Sequence, residues 1–142
     1  MLTSILFAMN DAPTDRLALD SQLCFALYRA NRAVVRSYRP LLAELGLTYP
    51  QYLVMLVLWE ADEPVPLKFI DSRLGLDSGT LTPLLKRLEK QGYVERWRDP
   101  DDERRALAAL TAEGASLRTR AECIPEAMAL SLIHISEPTR PL

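Results

Sequence analysis

The feature that most constrains this chain is a change of hydrophobic period across Gly92. Before Gly92, residues 79–90 carry apolar side chains at three- and four-residue steps, which predicts a helix with one apolar face. That face consists of Leu81, Leu84, Leu85 and Leu88. After Gly92, residues 93–97 alternate like a strand, residues 99–103 form a charged turn, and residues 106–110 can return as a second strand. The nucleus of the predicted fold is therefore an amphipathic helix followed by a β-hairpin with a long tip.

Further helices are predicted on both sides of this nucleus, and capping residues set several of their ends. Thr48 and Gln51 have the spacing of a capping box, Gly75 can take the left-handed conformation that ends a helix, and Asp77 or Ser78 can cap the amphipathic helix. The predicted helices cover residues 16–45 with Pro40 as a point of bending or breaking, residues 48–61, residues 67–74, and a last helix capped by Thr111 that continues toward residue 128.

This order of elements is that of a winged helix-turn-helix, so the predicted fold class is mainly α with a small β-hairpin wing. The fold leaves a polar helix face free to meet base edges or phosphates in the major groove. The residues on that face are Ser78, Thr80, Thr82 and Lys86. The same pattern also describes an ordinary solvated helix face, and helix-turn-helix geometry serves protein contacts too. The pattern alone leaves DNA binding open.

Composition limits the function classes. The chain has 142 residues of which 49% are hydrophobic, enough for one domain with a sizeable core, and its net charge of −2 argues mildly against nucleic-acid binding. Basic residues do collect between residues 86 and 105, among nearly as many acids. No stretch approaches the roughly 18 apolar residues that span a bilayer, so no membrane association and a cytoplasmic location are expected.

The cysteines and the histidine argue against catalysis and against a metal site. Cys24 and Cys123 are far apart, which fits neither a disulfide scaffold nor a CxxC metal site. His134 is the only histidine, so the sequence offers too few residues for a histidine-based metal site and argues against a hydrolase triad. We expect no enzyme, no metal and no cofactor.

Two long strings carry a family resemblance over about residues 15–129. LDSGTLTPLLKRLEKQGYVERWRDPDDERRALAALTAEG resembles the recognition helix and wing of the MarR family of bacterial transcriptional regulators. QLCFALYRANRAVVRSYRPLLAELGLTYPQYLVMLVLWE resembles the organic hydroperoxide resistance regulators within that family. The resemblance implies a homodimeric DNA-binding repressor that releases its operator when organic hydroperoxides oxidise a cysteine near the N-terminus.

The resemblance assigns the sensing role to Cys24 in the LCFALY string. A sensing cysteine attacks the peroxide as a thiolate and becomes a sulfenic acid, so it needs access and a lowered pKa. Without the motif, a free cysteine among Leu, Phe and Ala is usually a small core residue. Tyr38 and Tyr49 match the family's tyrosines whose hydroxyls hydrogen-bond the reactive cysteine, across the subunit interface, although each taken alone is more often a packing residue. Phe25, Leu27 and Tyr28 are candidate walls of the peroxide pocket, or core.

The resemblance also implies how DNA is read. Ser78, Thr80, Thr82, Pro83 and Lys86 fall on the recognition helix. Arg104 matches the wing arginine that enters the minor groove, Arg105 is a candidate phosphate contact, and Asp102 is expected to orient Arg104 by an ion pair. The alternative for these charges is an ordinary polar hairpin tip. Because narrow A·T-rich minor grooves attract arginine, the implied operator is a pseudo-palindrome with A·T-rich flanks.

Both ends of the chain depart from the family pattern. Residues 1–14 are expected to be a disordered extension, with Met9 as an alternative start. Residues 130–142 do not continue an amphipathic helix, and we interpret them as a foreign tail. Cys123 precedes the position expected of a resolving cysteine, so we favour sensing through Cys24 alone, with a mixed disulfide to a low-molecular-weight thiol or overoxidation as the oxidised form.

Two rival functions remain. One is a MarR-type repressor that responds to a small aromatic ligand in a crevice between its dimerisation and DNA-binding parts, with Cys24 merely packed. The other is a thiol peroxidase, which is disfavoured because no second thiol or proton donor lies near Cys24 in the sequence.

Overall fold

The computed structural model describes residues 15–136, apart from the side chains of Ser78, His134, Ile135 and Ser136. Its elements are α1 (Leu23–Ala43), α2 (Tyr49–Ala61), β1 (Val65–Pro66), α3 (Leu67–Leu74), α4 (Ser78–Lys90), β2 (Val94–Asp99), β3 (Asp102–Leu110), α5 (Ala112–Ala121) and α6 (Ile124–Ser136), preceded by a 3-10 turn at Leu19–Ser21. The order confirms the predicted winged helix-turn-helix. The extension predicted for residues 1–14 lies outside the described residues.

The described part of the chain divides into two compact units, residues 15–36 and residues 37–136. In the first unit α1 begins at Leu23 and not at residue 16 as predicted. The Gln22 amide donates to the carbonyl oxygens of Arg16 and Ala18, at 2.7 and 3.0 Å, and holds the preceding residues in a tighter turn. Further along, α1 runs through Pro40 to Ala43, so the proline does not end the helix.

The second unit contains the winged helix-turn-helix, whose core lies between α2 and α4. The predicted capping box starts α2: the Gln51 backbone N–H donates to Thr48 Oγ1 at 3.5 Å, and the Thr48 backbone N–H donates to Gln51 Oε1 at 2.9 Å. Val54, Met55 and Leu58 on α2 are fully or almost fully buried. The leucine face predicted for α4 is buried at all four positions, Leu81, Leu84, Leu85 and Leu88. Apolar burial of these two helices stabilises the unit.

The wing is part of a three-stranded antiparallel sheet in the order β1-β3-β2. β2 and β3 pair from Val94 with Leu110 to Asp99 with Asp102, with an irregularity between Arg98 and Asp99. The sequence reading missed β1, whose two residues pair with Ala108 and Leu107. A proline is acceptable there because β1 is an edge strand, where a missing N–H breaks no second ladder.

The last predicted helix is in fact two helices. α5 ends at Ala121 and α6 begins at Ile124, with Pro125 in its first turn, where a missing N–H costs nothing. α6 continues to Ser136 and so extends into the segment of residues 130–142. β-branched residues lower helix propensity only slightly, so Ile133 does not end the helix. The foreign origin of residues 130–142 stays a prediction.

Candidate nucleic-acid interface and thiol site

The N-terminus of α4 is fixed by Asp77, one of the two predicted caps. Asp77 Oδ1 accepts hydrogen bonds from the hydroxyl of Thr80 at 2.7 Å and from its backbone N–H at 2.9 Å. These bonds lower the pKa of Asp77, with the hydroxyl bond contributing most. Because the hydroxyl proton of Thr80 is donated to Asp77, the hydroxyl oxygen can only accept further hydrogen bonds. It could therefore accept one from a donor on a base edge, such as an exocyclic amine.

The remaining predicted contact residues of this helix lie before and after Thr80. Pro83 and Lys86 are exposed, and Thr82 is half-buried. Ser78 is the first residue of α4. The helix continues through Pro83 although a proline cannot donate to the carbonyl one turn earlier. α4 therefore docks through its leucines and carries these residues along the helix outside the leucine face.

An ion pair joins the recognition helix α4 to the wing. Arg96 Nη2 lies 2.8 Å from Glu89 Oε2, and both side chains are mostly buried. Arg96 Nε is buried as well and has no hydrogen-bond partner among the described residues. Because the partners belong to α4 and β2, this contact restricts how the wing can tilt relative to the helix. In the sequence, Glu89 and Arg96 both lie in the segment rich in basic residues, and nothing there predicts that they form an ion pair.

The wing arginines are exposed, but the ion pair expected between Asp102 and Arg104 is not found in the described part of the chain. Asp102 Oδ1 instead accepts the backbone N–H of Arg104 at 3.1 Å, as a carboxylate in a tight turn commonly does. Arg105 Nη1 lies 3.9 Å from Asp99 Oδ2. Asp102 thus shapes the backbone that presents Arg104 and leaves its guanidinium available.

A groove of about 380 Å³ connects α3, α4 and the wing. Thr82, Arg104 and Arg105 line it together with two residues that the sequence reading missed, Lys68 and Asp71 on α3. Asp71 Oδ1 is buried without a hydrogen-bond partner among the described residues. Neither residue has a local signal in the sequence, because only the tertiary packing of α3 against the wing brings them to this surface.

Tyr38 and Tyr49 come together in the second unit, with ring centroids 4.8 Å apart. Burial raises the pKa of Tyr38, and the neighbouring Tyr49 adds to the rise. A third tyrosine, Tyr52, lies 5.8 Å from Tyr38 and is only 3% exposed. Burial also raises the pKa of Tyr52. The sequence reading missed Tyr52, although it lies one helical turn after Tyr49 and so shares its side of α2.

Both thiols are exposed. Cys24 lies in the first turn of α1, in the first unit, where Phe25 is half-buried and Leu27 and Tyr28 are exposed. Tyr28 is therefore not a core residue of the single chain, and Arg32 lies over its ring at 5.6 Å. Exposure gives the Cys24 thiol the access that a reaction with peroxide needs.

Cys123 lies in the link between α5 and α6, and its Sγ is 3.6 Å from the carbonyl oxygen of Arg120. Among the described residues, no group of three or more acidic, cysteine or histidine side chains could hold a metal ion. Within the same residues, no helix combines the length and apolarity needed to cross a membrane.

A mainly apolar cavity of about 550 Å³ lies in the second unit between α2, α3, α5 and the start of α6. Tyr52, Leu56 and Trp59 form part of its lining. Two arginines and two glutamates also line it, so their charges balance; they are Arg73, Arg118, Glu60 and Glu122. A cavity of this size and lining can take a small organic molecule.

Comparison with known proteins places these features in context. A profile described as transcriptional regulator SarA/Rot matches residues 36–120. The chain is 59% identical over 111 residues to the HTH-type transcriptional regulator TtmR of Methylorubrum extorquens, covering 78% of this chain and 56% of that protein. It is 50% identical over 111 residues to the organic hydroperoxide resistance transcriptional regulator of Bacillus subtilis, covering 78% of this chain and 75% of that protein. The chain thus spans little more than half of TtmR.

One solved structure is similar over most of the chain. Reduced AbfR bound to DNA has a TM-score of 0.70 and 38% identity, covering 90% of this chain and 83% of that one. AbfR comes from Staphylococcus epidermidis. The same protein is known overoxidized and bound to DNA, with a TM-score of 0.68, and with a disulfide formed, with a TM-score of 0.61. The mainly helical fold with its antiparallel wing is the MarR-type fold.

Proposed function

The chain belongs to the MarR/SarA family of transcriptional regulators, and from this premise we propose that it is a repressor that releases its operator when an organic hydroperoxide oxidises Cys24. It is a regulator and not an enzyme. The observation that carries the proposal is the Tyr38–Tyr49 pair, packed at 4.8 Å, in a chain whose Cys24 thiol is exposed. A phenol can donate to a thiolate or sulfenate without adding charge.

The proposed chemistry balances in two steps. The Cys24 thiolate attacks the distal oxygen of the hydroperoxide, the O–O bond breaks, and the products are a sulfenic acid and an alcohol once the alkoxide takes a proton. A low-molecular-weight thiol then attacks the sulfenic sulfur, forming a mixed disulfide and releasing water. Further peroxide would instead carry the sulfur to sulfinic acid.

The mixed disulfide is the releasing form in this proposal. Overoxidized AbfR was solved on DNA, which argues that the sulfinic or sulfonic state of that protein is compatible with binding. A bulky thiol adduct on Cys24 would displace the tyrosines more than added oxygen atoms. We therefore expect release to depend on a small thiol being present.

Operator recognition in this proposal uses a homodimer with one α4 in each of two successive major grooves. Thr80, Thr82, Pro83, Lys86 and Ser78 would meet bases and phosphates, Arg104 would enter the minor groove, and Arg105 would contact phosphate. Since both half-sites must match the helical repeat of DNA, a small change in the separation of the two helices would remove several contacts together. Support for a dimer comes from two exposed leucines one turn apart on α1, Leu23 and Leu27.

The test is operator binding by fluorescence anisotropy, before and after cumene hydroperoxide, with and without a small thiol, and again after dithiothreitol. The wild type should release DNA and rebind it on reduction, and Cys24→Ser should bind and never release. Cys123→Ser is the matched control, because it removes the other exposed thiol and should behave as the wild type. Release by Cys24→Ser on peroxide treatment would refute the proposal.

The cavity of about 550 Å³ favours a second candidate function, a repressor that responds to a small aromatic ligand. In that case an aromatic acid should release operator from the wild type and from Cys24→Ser alike. Leu56→Trp, which fills the cavity from its lining, should abolish such release and leave the peroxide response unchanged.

A further inference from the structure

We propose that Trp59 is a positioning residue that carries the state of the tyrosine pair to the junction between the recognition helix α4 and the wing. This inference rests on the proposed function, because it assumes that oxidation of Cys24 moves Tyr38 or Tyr49. All the contacts that carry it lie within the second unit.

The first step leads from the tyrosine pair to Trp59 through Tyr52. The Tyr52 ring lies 5.8 Å from Tyr38 on one side and 6.4 Å, edge to face, from Trp59 on the other. Tyr52 and Trp59 are two helical turns apart on α2, and both are buried. Aromatic rings with centroids at these distances interact, so a shift of one ring changes the packing of the next.

The second step leads from Trp59 to α5. Its indole N–H donates to the carbonyl oxygen of Gly114 at 2.8 Å, in the buried interior. In the opposite direction, Arg118 Nη1 donates to the carbonyl oxygen of Trp59 at 3.4 Å. Both the side chain and the backbone of Trp59 are therefore tied to α5.

The third step leads from Gly114 to the junction of helix and wing. A Cβ at Gly114 would clash with the carbonyl oxygen of Tyr93, so α5 touches this segment with its backbone. Tyr93 receives a second contact when Thr111 N–H donates to its carbonyl oxygen at 3.1 Å, and its own N–H donates to Leu88 on α4 at 3.0 Å. β2 begins at the next residue. The start of α5 cannot shift without moving the point where α4 ends and the wing begins.

These contacts form one close-packed series from Tyr38 to Tyr93. Close-packed interiors shift between discrete arrangements and do not deform continuously, so a displacement of the tyrosine rings has to be taken up by Trp59. Trp59→Phe breaks this series at the hydrogen bond of the indole N–H to Gly114, and it removes the five-membered ring of the indole as well.

The first experiment uses Trp59 as its own reporter. The chain has two tryptophans, so Trp97→Phe leaves Trp59 as the only one. Adding cumene hydroperoxide and a small thiol to this variant, without DNA, should change the intensity and the emission maximum of Trp59, and the Cys24→Ser, Trp97→Phe double variant should show no change. An unchanged emission, while thiol titration shows that Cys24 is modified, would overturn the inference and leave the proposed function intact.

The second experiment removes the indole N–H. Trp59→Phe should bind operator in the reduced state with a Kd close to that of the wild type, and its peroxide-induced rise in Kd should be smaller by about 2- to 30-fold, the range expected for residues that transmit coupling. Tyr93→Phe is the control, because it loses only the hydroxyl bond to the Leu45 carbonyl oxygen at 3.4 Å. It should release DNA as the wild type does.

The outcomes separate a transmitting role from a merely structural one. If Trp59→Phe melts at a lower temperature but releases DNA as fully as the wild type, Trp59 is only a core residue and the inference is wrong. If the wild type itself does not release DNA on oxidation, both the proposed function and the inference fail.

Discussion

At the scale of single residues, the surface that we propose faces DNA contains side chains that already have partners within the chain and side chains that remain available. The Thr80 hydroxyl proton is held by Asp77, and Arg105 lies beside Asp99. The Arg104 guanidinium makes no ion pair with any described residue. The two neighbouring arginines should therefore contribute to operator binding in different ways.

We expect Arg104→Ala to weaken binding to an operator with A·T-rich flanks by about 1–3 kcal/mol and to reduce the preference for A·T over G·C flanks. Arg105→Ala should weaken all sequences similarly and lower the slope of log Kd against log salt concentration by about 1. Anisotropy titrations at several salt concentrations on both operators measure these effects. Equal loss of flank preference in the two variants would contradict the assigned roles.

The buried tyrosine gives a second prediction, about pH. Burial raises the pKa of Tyr52 above its ordinary value of 10.0. The unfolded chain therefore loses this proton first as pH rises, so the contribution of Tyr52 to stability is complete below pH 10.0 and is lost as pH rises through the raised pKa.

Tyr52→Phe should consequently show a shallower fall in the free energy of unfolding above pH 10.0. The slope should differ from that of the wild type by up to about 1.4 kcal/mol per pH unit. Urea denaturation at a series of alkaline pH values measures it. Identical slopes in the two proteins would show that Tyr52 ionises equally in the folded and unfolded states.

At the scale of elements, the sequence predicted what local chemistry determines. The capping box of α2, the Gly75 end of α3 and the leucine face of α4 each depend on residues within one or two helical turns, and all three are confirmed. β1 could not be predicted because a strand of two residues is too short to show an alternating hydrophobic pattern. It forms by pairing with β3, which lies some forty residues later in the chain. Pro125 is a local signal for the start of α6. The helical spacing of the apolar residues around it nevertheless predicted one continuous helix.

The candidate site follows the same division. Residues on the recognition helix and wing could be named from sequence because one helix face and one hairpin tip carry them. Lys68, Asp71 and Tyr52 could not, since only the packing of α3 against the wing and of Tyr52 against Tyr38 brings them to the groove and to the tyrosine pair.

Two glycines in helices should respond oppositely to the same substitution. Gly114→Ala places a Cβ against the backbone carbonyl oxygen of Tyr93, which cannot rotate away, so it should lower the free energy of unfolding by about 3 kcal/mol or more. Gly79→Ala meets only the Asp77 carboxylate at 3.6 Å, an ordinary contact, and should raise the free energy of unfolding by about 0.5–1 kcal/mol. Urea denaturation of both variants tests the pair. A tolerated Gly114→Ala would mean that α5 does not press on Tyr93.

At the scale of the whole molecule, apolar side chains remain exposed on α1. Leu23 is 74% exposed and Leu27, one helical turn later, is 62% exposed in the single chain. Large apolar side chains clustered on the surface mark an interaction site. In the proposed dimer α1 supplies part of the interface, so operator binding and self-association should be lost together.

Leu23→Asp should accordingly shift the protein from dimer to monomer in sedimentation velocity and weaken operator binding at least about 100-fold, since a monomer reaches only one half-site. Far-UV circular dichroism serves as the folding control. A Leu23→Asp protein that stays dimeric and binds normally would exclude α1 from the interface.

The two-residue strand β1 has a consequence for engineering. Val65 and Pro66 pair with β3 and lead directly into α3, so the wing is attached to the helix-turn-helix at its base as well as through β2. A hairpin transplanted from a relative with a different minor-groove preference would lose this second attachment unless its β3 fits Val65 and Pro66. Chimeric regulators built on this chain should therefore exchange residues 65–110 as one cassette and not the hairpin alone.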